Sequence, residues 1–427
     1  MHNTIMNIHK IYTDILQDEL KPAMGCTEPI AIAYAASILR NALGTDPESI
    51  QLQLSGNIIK NVKSVIVPAT GGMHGISAAV AAGVVANEPQ KQLEVLTGLT
   101  KDDLSKISSF MENCEILISE LETDKPFEVK ITGVRGNNSV FVHLSDRHTH
   151  IVSVTKNSAD LTKQYSIEEF TELEDATNRK DLNVADIIEY ANTVPLDMVY
   201  PLIKRQIDMN IAIAYEGVSK DYGASIGKLL YKEGNCSVQD KARALAAAGS
   251  DARMSGCEMP VCILSGSGNQ GICASVPVIV YAQEKGATEE ELIRALIVAD
   301  LITIHQKTGI GCLSAYCGAI SAGCGCACGI CFLNGGGYHE IAHTLVNSVA
   351  ILSGTICDGA KPSCAAKIAM AVEAGLIGYE MMKAGKEFVG GDGIVTKGVE
   401  NTIRNVGRLA RQGMSETDKE IIKIMLT

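Results

Sequence analysis

The sequence predicts an α+β protein, in which a small α/β domain with a mixed or antiparallel sheet accompanies a larger all-α domain. Alternation of apolar and polar residues with period two is confined to residues 50–160, and helical periodicity dominates elsewhere. The interior must be built from small side chains, because the chain has 40 glycines, no Trp and only 4% aromatic residues. At 427 residues the chain is long for a single core, so two or three domains are expected.

The N-terminal segment, residues 1–48, is predicted to form two helices that pack on the helical domain. The first helix is expected over residues 9–20 and the second over residues 30–43. A loop at residues 21–29 connects them and carries a proline near each end.

Cys26 lies in this loop, just before the second helix. Pro29 suits the first turn of that helix, because the N–H group that proline lacks would have no partner there. Thr27 or Glu28 would then cap the helix, and the partial positive charge of the helix N-terminus would lower the pKa of the Cys26 thiol. A reactive thiolate is one interpretation of this position, and a buried cysteine near a turn is the other.

Residues 49–180 are predicted to form the small α/β domain. Strands are expected where short segments alternate or are β-branched, at residues 51–54, 64–67, 127–131, 139–143 and 150–154. Helices are expected at residues 75–87 and 101–112, and the polar stretch 156–180 links this domain to the rest of the chain.

Residues 181–427 are predicted to form the all-α domain, with a few glycine loops. Residues 203–218 are amphipathic, and Ser237 is placed to cap a helix over residues 238–248. Thr288 and the three glutamates after it resemble a capping box at the start of another helix.

Charge and hydropathy argue against two classes of partner. The net charge is −12 and the basic residues do not cluster, so nucleic acid is not an expected partner. Residues 308–338 carry no charged side chain and could cross a bilayer, but nine of them are glycines, so a buried helix pair is favoured over a membrane span. The N-terminus lacks the apolar core of a signal peptide, and we therefore expect a cytoplasmic protein.

The fourteen cysteines require an explanation in such a chain. Disulfides are disfavoured in a reducing cytoplasm, which leaves metal or cluster ligation, a catalytic thiol, or packing as a small hydrophobic side chain. Cys324, Cys326, Cys328 and Cys331 resemble a cluster motif, but three of them share one helix face among glycines and alanines. That arrangement favours packing.

Cys317, Cys357 and Cys364 form a second set that is more favourable for ligation. Gly359 and Pro362 place Cys357 and Cys364 in a turn, where backbone N–H groups can point at cluster sulfurs. Three thiolates on a [4Fe–4S] cluster leave one iron open to a substrate. The alternative is a turn with two buried thiols.

A glycine loop at residues 265–271 is a candidate anion site. Its backbone N–H groups can form a nest, and Ser265, Ser267 and Asn269 add polar side chains around Gly268. The loop lacks the lysine of a P-loop, and its Gly-x-Gly-x-x-Gly spacing alone is weak evidence for a dinucleotide site. A small-carboxylate site is favoured, with a structural turn as the alternative.

Six motifs occur in order along nearly the whole chain: Met-Gly-Cys-Thr-Glu-Pro at 24–29, Ser-Gly-Asn-Ile-Ile-Lys-Asn at 55–61, Pro-Ala-Thr-Gly-Gly at 68–72, the glycine loop at 265–271, Ser-Ala-Tyr-Cys-Gly at 314–318, and Cys-Asp-Gly-Ala-Lys-Pro-Ser-Cys at 357–364. With these motifs the chain resembles the L-cysteine desulfidase family, which is related to the iron–sulfur L-serine dehydratases. The resemblance implies α,β-elimination of L-cysteine to pyruvate, ammonia and hydrogen sulfide, with a [4Fe–4S] cluster as cofactor.

The resemblance also implies the site residues. Cys317, Cys357 and Cys364 would hold the cluster, and Cys26 would be the catalytic base or a labile fourth ligand. Asp358 would support a neighbouring group rather than act as a base. The substrate, a small amino acid, is expected to contact Asn57, Lys60, Asn61, Thr70, Ser265, Ser267, Gly268 and Asn269. A homodimer is the expected assembly.

Departures from the family pattern leave alternatives open. Extra thiols, where the family tends to have small residues, permit a different ligand set; they are Cys312, Cys324, Cys326, Cys328 and Cys331. The remaining thiols are interpreted as packing residues: Cys114, Cys236, Cys257, Cys262 and Cys273. L-Serine dehydratase activity is an alternative on the same scaffold. A pyridoxal-phosphate lyase with a Schiff-base lysine such as Lys307, and a non-enzymatic thiol-rich metal or redox protein, are alternatives from other classes.

Overall fold

The structure is a computed structural model that describes residues 2–166, 179–232, 234, 236–311 and 314–426, with only the backbone described at residues 2–7 and 426. Cys312 and residues 167–178 of the expected linker lie outside the described residues.

A six-stranded mixed sheet occupies the first part of the chain. The described residues form eight strands, of which β2 to β7 make up this sheet: β1 (Pro22–Met24), β2 (Ser49–Leu54), β3 (Glu115–Glu120), β4 (Glu128–Arg135), β5 (Asn138–Ser145), β6 (Ile151–Lys156), β7 (Ala159–Asp160) and β8 (Pro260–Cys262). The sheet has the order β3-β2-β4-β5-β6-β7, in which β3 is parallel to β2 and all other neighbours are antiparallel. The mixed sheet predicted from the period-two alternation is confirmed.

Helices make up most of the described chain, and the predicted α+β fold class is confirmed. In chain order they are α1 (His2–Glu19), α2 (Thr27–Leu43), α3 (Gly56–Val62), α4 (Gly75–Ala86), α5 (Asp103–Asn113), α6 (Thr162–Tyr165), α7 (Val184–Thr193), α8 (Tyr200–Ser219), α9 (Ile226–Leu230), α10 (Val238–Met254), α11 (Gly268–Lys285), α12 (Glu289–Ile310), α13 (Gly318–Leu333), α14 (Tyr338–Ile351), α15 (Cys364–Lys383), α16 (Val399–Arg408) and α17 (Ser415–Leu426). Ser237 caps α10 and Thr288 forms a capping box at α12, as predicted.

One face of the sheet is buried, as the alternation requires. Val140, Val142 and Leu144 of β5 are fully buried, and α2 packs on β4 and β5 while α4 packs on α2. In the helical part, α13 packs on α11, α12, α14 and α15. Helix α13 consists largely of Gly, Ala and Cys, and these small side chains let the neighbouring helices approach closely.

Two local predictions were wrong. Residues 64–67 do not form a strand, and within them only Ile66 makes an isolated bridge, to His74. Val65 and Val67 are buried, so the β-branched run there reflects burial before a turn rather than sheet pairing. The predicted all-α part also contains a strand, β8, which pairs antiparallel with β1 and so connects the helical part to the N-terminal loop.

The N-terminal helices contact both parts of the chain, since α1 packs on α7 and α2 packs on the sheet. The division at residues 48/49 and 180/181 stays a prediction. Among the described helices, none has both the length and the apolar character needed to cross a bilayer.

Candidate active site

A cavity of about 960 Å³ brings together four cysteines that are far apart in the sequence. Its lining includes Cys26, Cys317, Cys357 and Cys364, all of them free thiols. The thiols that the sequence singled out therefore share one site.

Three of these thiols lie at helix N-termini. Cys26 is the residue before α2, Cys317 is the residue before α13, and Cys364 is the first residue of α15. The unpaired N–H groups and the dipole of a helix give its N-terminus a partial positive charge. These N-termini therefore offer partial positive charge to an anion bound in the cavity.

A short antiparallel pairing holds Cys317 beside Cys357. The N–H of Cys317 donates to the carbonyl oxygen of Thr355 at 2.9 Å, and the N–H of Cys357 donates to that of Ala315 at 2.7 Å. Two loops separated by some forty residues are thus joined at the two thiols.

Cys317 and Cys357 also share a hydrogen bond between their side chains. Donation from Cys317 lowers the pKa of Cys357 to about 6; burial opposes this shift, and the charges of Lys60 and Lys367 assist it. The same hydrogen bond, together with burial, raises the pKa of Cys317 well above its usual range. A thiolate, the form that binds iron, is therefore favoured at Cys357.

Asp358 supports this corner of the cavity. Its carboxylate forms ion pairs with Lys361 and, at 2.6 Å, with Lys367, which lines the cavity. Burial acts to raise the pKa of Asp358, but the two lysines outweigh it and lower the pKa to about 2. A carboxylate that is this acidic is a poor proton acceptor at neutral pH.

The donor set is of the kind that an iron–sulfur cluster takes. Among the described residues, no group of three or more His, Cys, Asp or Glu side chains is placed to hold one metal ion. A [4Fe–4S] cluster held by three thiolates carries negative charge. Three thiols at one cavity, with Lys60 and Lys367 in the same wall, fit such an anionic group.

Glu28, which also lines the cavity, connects three segments of the chain. Its Oε2 atom accepts hydrogen bonds from Cys26 Sγ at 3.1 Å and Thr27 Oγ1 at 3.0 Å, and its Oε1 atom accepts one from Asn61 Nδ2 at 3.0 Å. Thr27 Oγ1 is also 3.0 Å from the carbonyl oxygen of Gly266, to which it can donate. The start of α2 is thereby joined to α3 and to the glycine loop.

The predicted decrease in the pKa of Cys26 was wrong. Burial raises the pKa of Cys26 well above its usual range, and the negative charge of Glu28 adds to the rise, so loss of water outweighs the helix N-terminus. For Glu28, burial acts to raise the pKa, but the charge of His148, the hydrogen bond from Cys26 and the charge of Arg253 leave it below its usual range. The prediction that Thr27 or Glu28 caps α2 was also wrong, because Cys26 occupies that position.

The glycine loop lines the same cavity and leads into α11. Ser265 and Gly266 have positive φ angles of 48° and 75°, which turn the chain so that Ser267 directly precedes the helix. Ser265 Oγ, Asn269 Oδ1 and Gln270 Oε1 are buried, with no hydrogen-bond partner among the described residues. Buried polar atoms of this kind normally have a partner, so the loop is suited to a polar ligand.

Gly268 does not itself line the cavity, but it makes room for Arg253. A Cβ atom at Gly268 would lie 2.3 Å from Arg253 Nε. Arg253 is 4% exposed and lines the cavity, and its Nε has no partner among the described groups. A guanidinium next to a helix N-terminus is a suitable site for a carboxylate.

Of the other predicted substrate residues, some line the cavity and others do not. Lys60 and Asn61 line the cavity, whereas Asn57 and Thr70 do not. Thr70 instead stabilises a turn, because its hydroxyl donates to the carbonyl oxygen of Val67 at 2.7 Å.

The motifs pack against one another around the cavity. Gly25 has a φ of +65°, and a Cβ atom there would lie 2.1 Å from Pro68 Cγ. Gly359 has a φ of +93°, and a Cβ atom there would lie 2.5 Å from the carbonyl oxygen of Lys60. Only glycine combines these backbone angles with such close approach, which explains two of the motif glycines.

The conspicuous cysteine run lies elsewhere. Cys324, Cys326, Cys328 and Cys331 are buried in α13 and do not line the cavity. The thiol of Cys326 donates to the carbonyl oxygen of Gly323 at 3.1 Å, within its own helix. This placement agrees with the packing interpretation.

Several cavity residues were not selected from the sequence: Glu28, His148, Arg253, Gln270 and Lys367. Glu28 and Gln270 lie within quoted motifs and could have been chosen there. His148 and Arg253 belong to no motif, so no local signal marks them.

The chain is similar in sequence to known proteins over most of its length. A family model described as the serine dehydratase alpha chain matches residues 77–423. A UPF0597 protein of Desulfitobacterium hafniense is 51% identical over 418 residues, covering 98% of this chain and 97% of the relative. UPF0597 proteins of Treponema denticola and Finegoldia magna are each 45% identical, covering 98% of this chain and 98% and 99% of the relatives.

Proposed function

The chain belongs to the serine dehydratase alpha chain family, and from this premise we propose that it is an iron–sulfur lyase acting on L-cysteine. L-Cysteine would lose its Cα proton and its Cβ–S bond, giving hydrogen sulfide and aminoacrylate. Addition of water to the tautomeric imine would then release ammonia and pyruvate. The observation that carries this proposal is the convergence of Cys26 with Cys317, Cys357 and Cys364 on one cavity.

Cys317, Cys357 and Cys364 would hold a [4Fe–4S] cluster. When bound through three thiolates, the cluster supplies an iron without a protein ligand, a Lewis acid for the carboxylate and leaving group of the substrate. Lys60 and Lys367, together with the N-termini of α13 and α15, would offset the negative charge that accumulates there.

The substrate carboxylate would bind beside the glycine loop. Arg253 and the N-terminus of α11 supply positive charge for the carboxylate, whereas the amide oxygens of Asn269 and Gln270, which lack a partner among the described groups, are acceptors suited to the substrate ammonium group. Lys60 contributes a second cation to the same cavity. Fixing the carboxylate orients the Cα–H bond with respect to Cys26.

Cys26 would remove the Cα proton of the substrate. Its sulfur must first lose its own proton; Glu28 Oε2 accepts the thiol hydrogen bond at 3.1 Å and so would orient the sulfur. Because the pKa of Cys26 is raised, the thiolate is a strong base once it forms. Cys26 as a labile fourth ligand in the resting state is the alternative role for the same thiol.

L-Serine is a second candidate substrate, which the description of the matching family favours. The two amino acids differ in one atom of the leaving group, and both need the same carboxylate site and the same base. We further propose a homodimer located in the cytoplasm, where a reducing environment would maintain the thiols.

Anaerobic reconstitution with iron and sulfide, followed by incubation with L-cysteine or L-serine, tests the proposal. We expect equal amounts of pyruvate, ammonia and sulfide from L-cysteine, at a kcat/KM above that for L-serine. Turnover of L-serine alone would select the second candidate. Iron-loaded protein that converts neither amino acid would contradict both.

A further inference from the structure

The C-terminal helix contributes a carboxylate that pairs with a lysine of the active-site cavity. Helix α17 packs on α3, and Asp418 of α17 forms an ion pair with Lys60 of α3 at 2.5 Å. The Lys60 side chain is 1% exposed and that of Asp418 is 14% exposed, so this pair is largely removed from water. Lys60 also lines the cavity.

Other contacts fix α17 against the same helix. A Cβ atom at Gly56 would lie 2.8 Å from Ile422 Cδ1, so the two helices are close at the start of α3. Lys63 donates from its ammonium to the carbonyl oxygen of Met425. Asp418 is therefore held in place by contacts on the same pair of helices.

Lys60 stands between Asp418 and the cysteine loop. Its carbonyl oxygen is the atom that a Cβ at Gly359 would approach to 2.5 Å, and Gly359 lies two residues after Cys357. An ammonium group has three donors, and the ion pair with Asp418 need occupy only one of them. A lysine with a flexible four-carbon stem requires such a partner if its ammonium is to keep one position.

We propose that Asp418 is a positioning residue, which holds the Lys60 ammonium in the cavity so that Lys60 binds the carboxylate of the amino-acid substrate. This inference rests on the proposed lyase function. It makes the C-terminal helix part of the active site and distinguishes the Lys60–Asp418 pair from an ion pair that only fastens two helices.

Substitution of Asp418 by Asn tests the inference, because the amide keeps the shape and removes the charge. We expect KM for L-cysteine to rise about tenfold to a hundredfold in iron-loaded protein, as when an outer partner that orients a ligand is removed. Asp418→Glu should recover part of the loss. Glu416→Gln is the matched control, because Glu416 is in the first turn of the same helix but is 80% exposed and pairs with Lys419.

Two inhibitors distinguish a role of Asp418 in positioning Lys60 from a role only in joining two helices. L-Alanine has the carboxylate and no leaving group, and cysteamine has the thiol and no carboxylate. In Asp418→Asn, the Ki of L-alanine should rise in parallel with KM, and that of cysteamine should not change. A parallel rise for both inhibitors would indicate a role only in folding and would overturn the proposal.

A double substitution completes the test. In a Lys60→Met background, Asp418→Asn should cause no further increase in KM; a full additive increase would overturn the inference. Wild-type KM in Asp418→Asn would overturn it as well. By contrast, iron-loaded wild-type protein without any turnover would refute the lyase function itself, so the two failures are distinguishable.

Discussion

The Cys26 thiol donates a hydrogen bond to Glu28 Oε2 at 3.1 Å, inside the wall of the cavity that also contains the other three thiols. Both side chains are buried, and the same carboxylate accepts from Asn61 at 3.0 Å. Burial of a carboxylate is costly unless it is hydrogen-bonded, so this arrangement ties the start of α2 to α3. It also provides the acceptor of the Cys26 thiol hydrogen bond.

Replacement of Glu28 by Gln should lower kcat for sulfide release by a factor of about 100, the order associated with a misplaced reacting group, because the charged acceptor that orients the Cys26 thiol is lost. The amide preserves the length of the side chain, so iron content should not change. Glu128→Gln is the matched control, since Glu128 is also buried and accepts from His143 at 2.9 Å, but lies in the sheet. Unchanged kcat in Glu28→Gln would show that Glu28 has no role in the reaction.

Replacement of Cys26 by Ala should leave the iron content and visible absorbance of reconstituted protein largely intact while abolishing sulfide release. The three remaining thiols would still hold the cluster, but no sulfur would be available to take the Cα proton. Cys114→Ala serves as the control, because Cys114 is buried outside the cavity lining. Full activity in Cys26→Ala would eliminate its proposed role.

Replacement of Cys357 by Ser should cause loss of the cluster itself, because Cys357 is the thiol whose pKa is lowered, to about 6, and serine is a poor iron ligand. Cys328→Ala should retain iron, since Cys328 is buried in α13 away from the cavity. Iron analysis of both variants after identical reconstitution makes the comparison. The reverse pattern would assign the cluster to the cysteine run.

Asp300 should make stability depend on pH. Burial raises its pKa from 3.8 to about 8, while Gln206 donates to Oδ1 at 2.8 Å. A folded-state pKa above the unfolded value gives stability that is fully present below pH 3.8 and is lost as pH rises through about 8. Over that interval the free energy of unfolding should fall by at most about 1.4 kcal/mol per pH unit.

Asp300→Asn should remove this contribution, because the amide is neutral in both states. Urea unfolding of the variant and the wild type at pH 6 and pH 8 provides the measurement. Asp208→Asn is the control, since the Asp208 side chain is 59% exposed and pairs with Lys204. An identical pH dependence in Asp300→Asn and the wild type would show that Asp300 does not titrate as expected.

The fold could be predicted where periodicity is local. The strands β4, β5 and β6 alternate clearly because one side of each faces the core, and Thr288 marks a helix start through its own capping box. The strand predicted at residues 64–67 was wrong because β-branched residues are favoured wherever a short segment is buried, whether or not that segment pairs with a strand. Strand β8 was missed because three residues are too few for a pattern.

The site could be predicted in part, because its four cysteines lie in motifs that are local in the sequence. The motifs identify Cys26, Cys317, Cys357 and Cys364, and the structure places them at one cavity. The pKa of Cys26 could not be predicted, because it depends on how deeply a distant part of the chain buries the thiol. Asp418 is separated from Lys60 by 358 residues, so no sequence pattern could join them.

Pyruvate formation from L-cysteine, measured anaerobically and normalised to bound iron, tests the central claim most directly. We predict turnover only after reconstitution, proportional to iron up to about four atoms per chain, the content of one [4Fe–4S] cluster. Turnover by iron-free protein, or no turnover at full iron loading, would contradict the assignment of this cavity as the site of an iron–sulfur lyase.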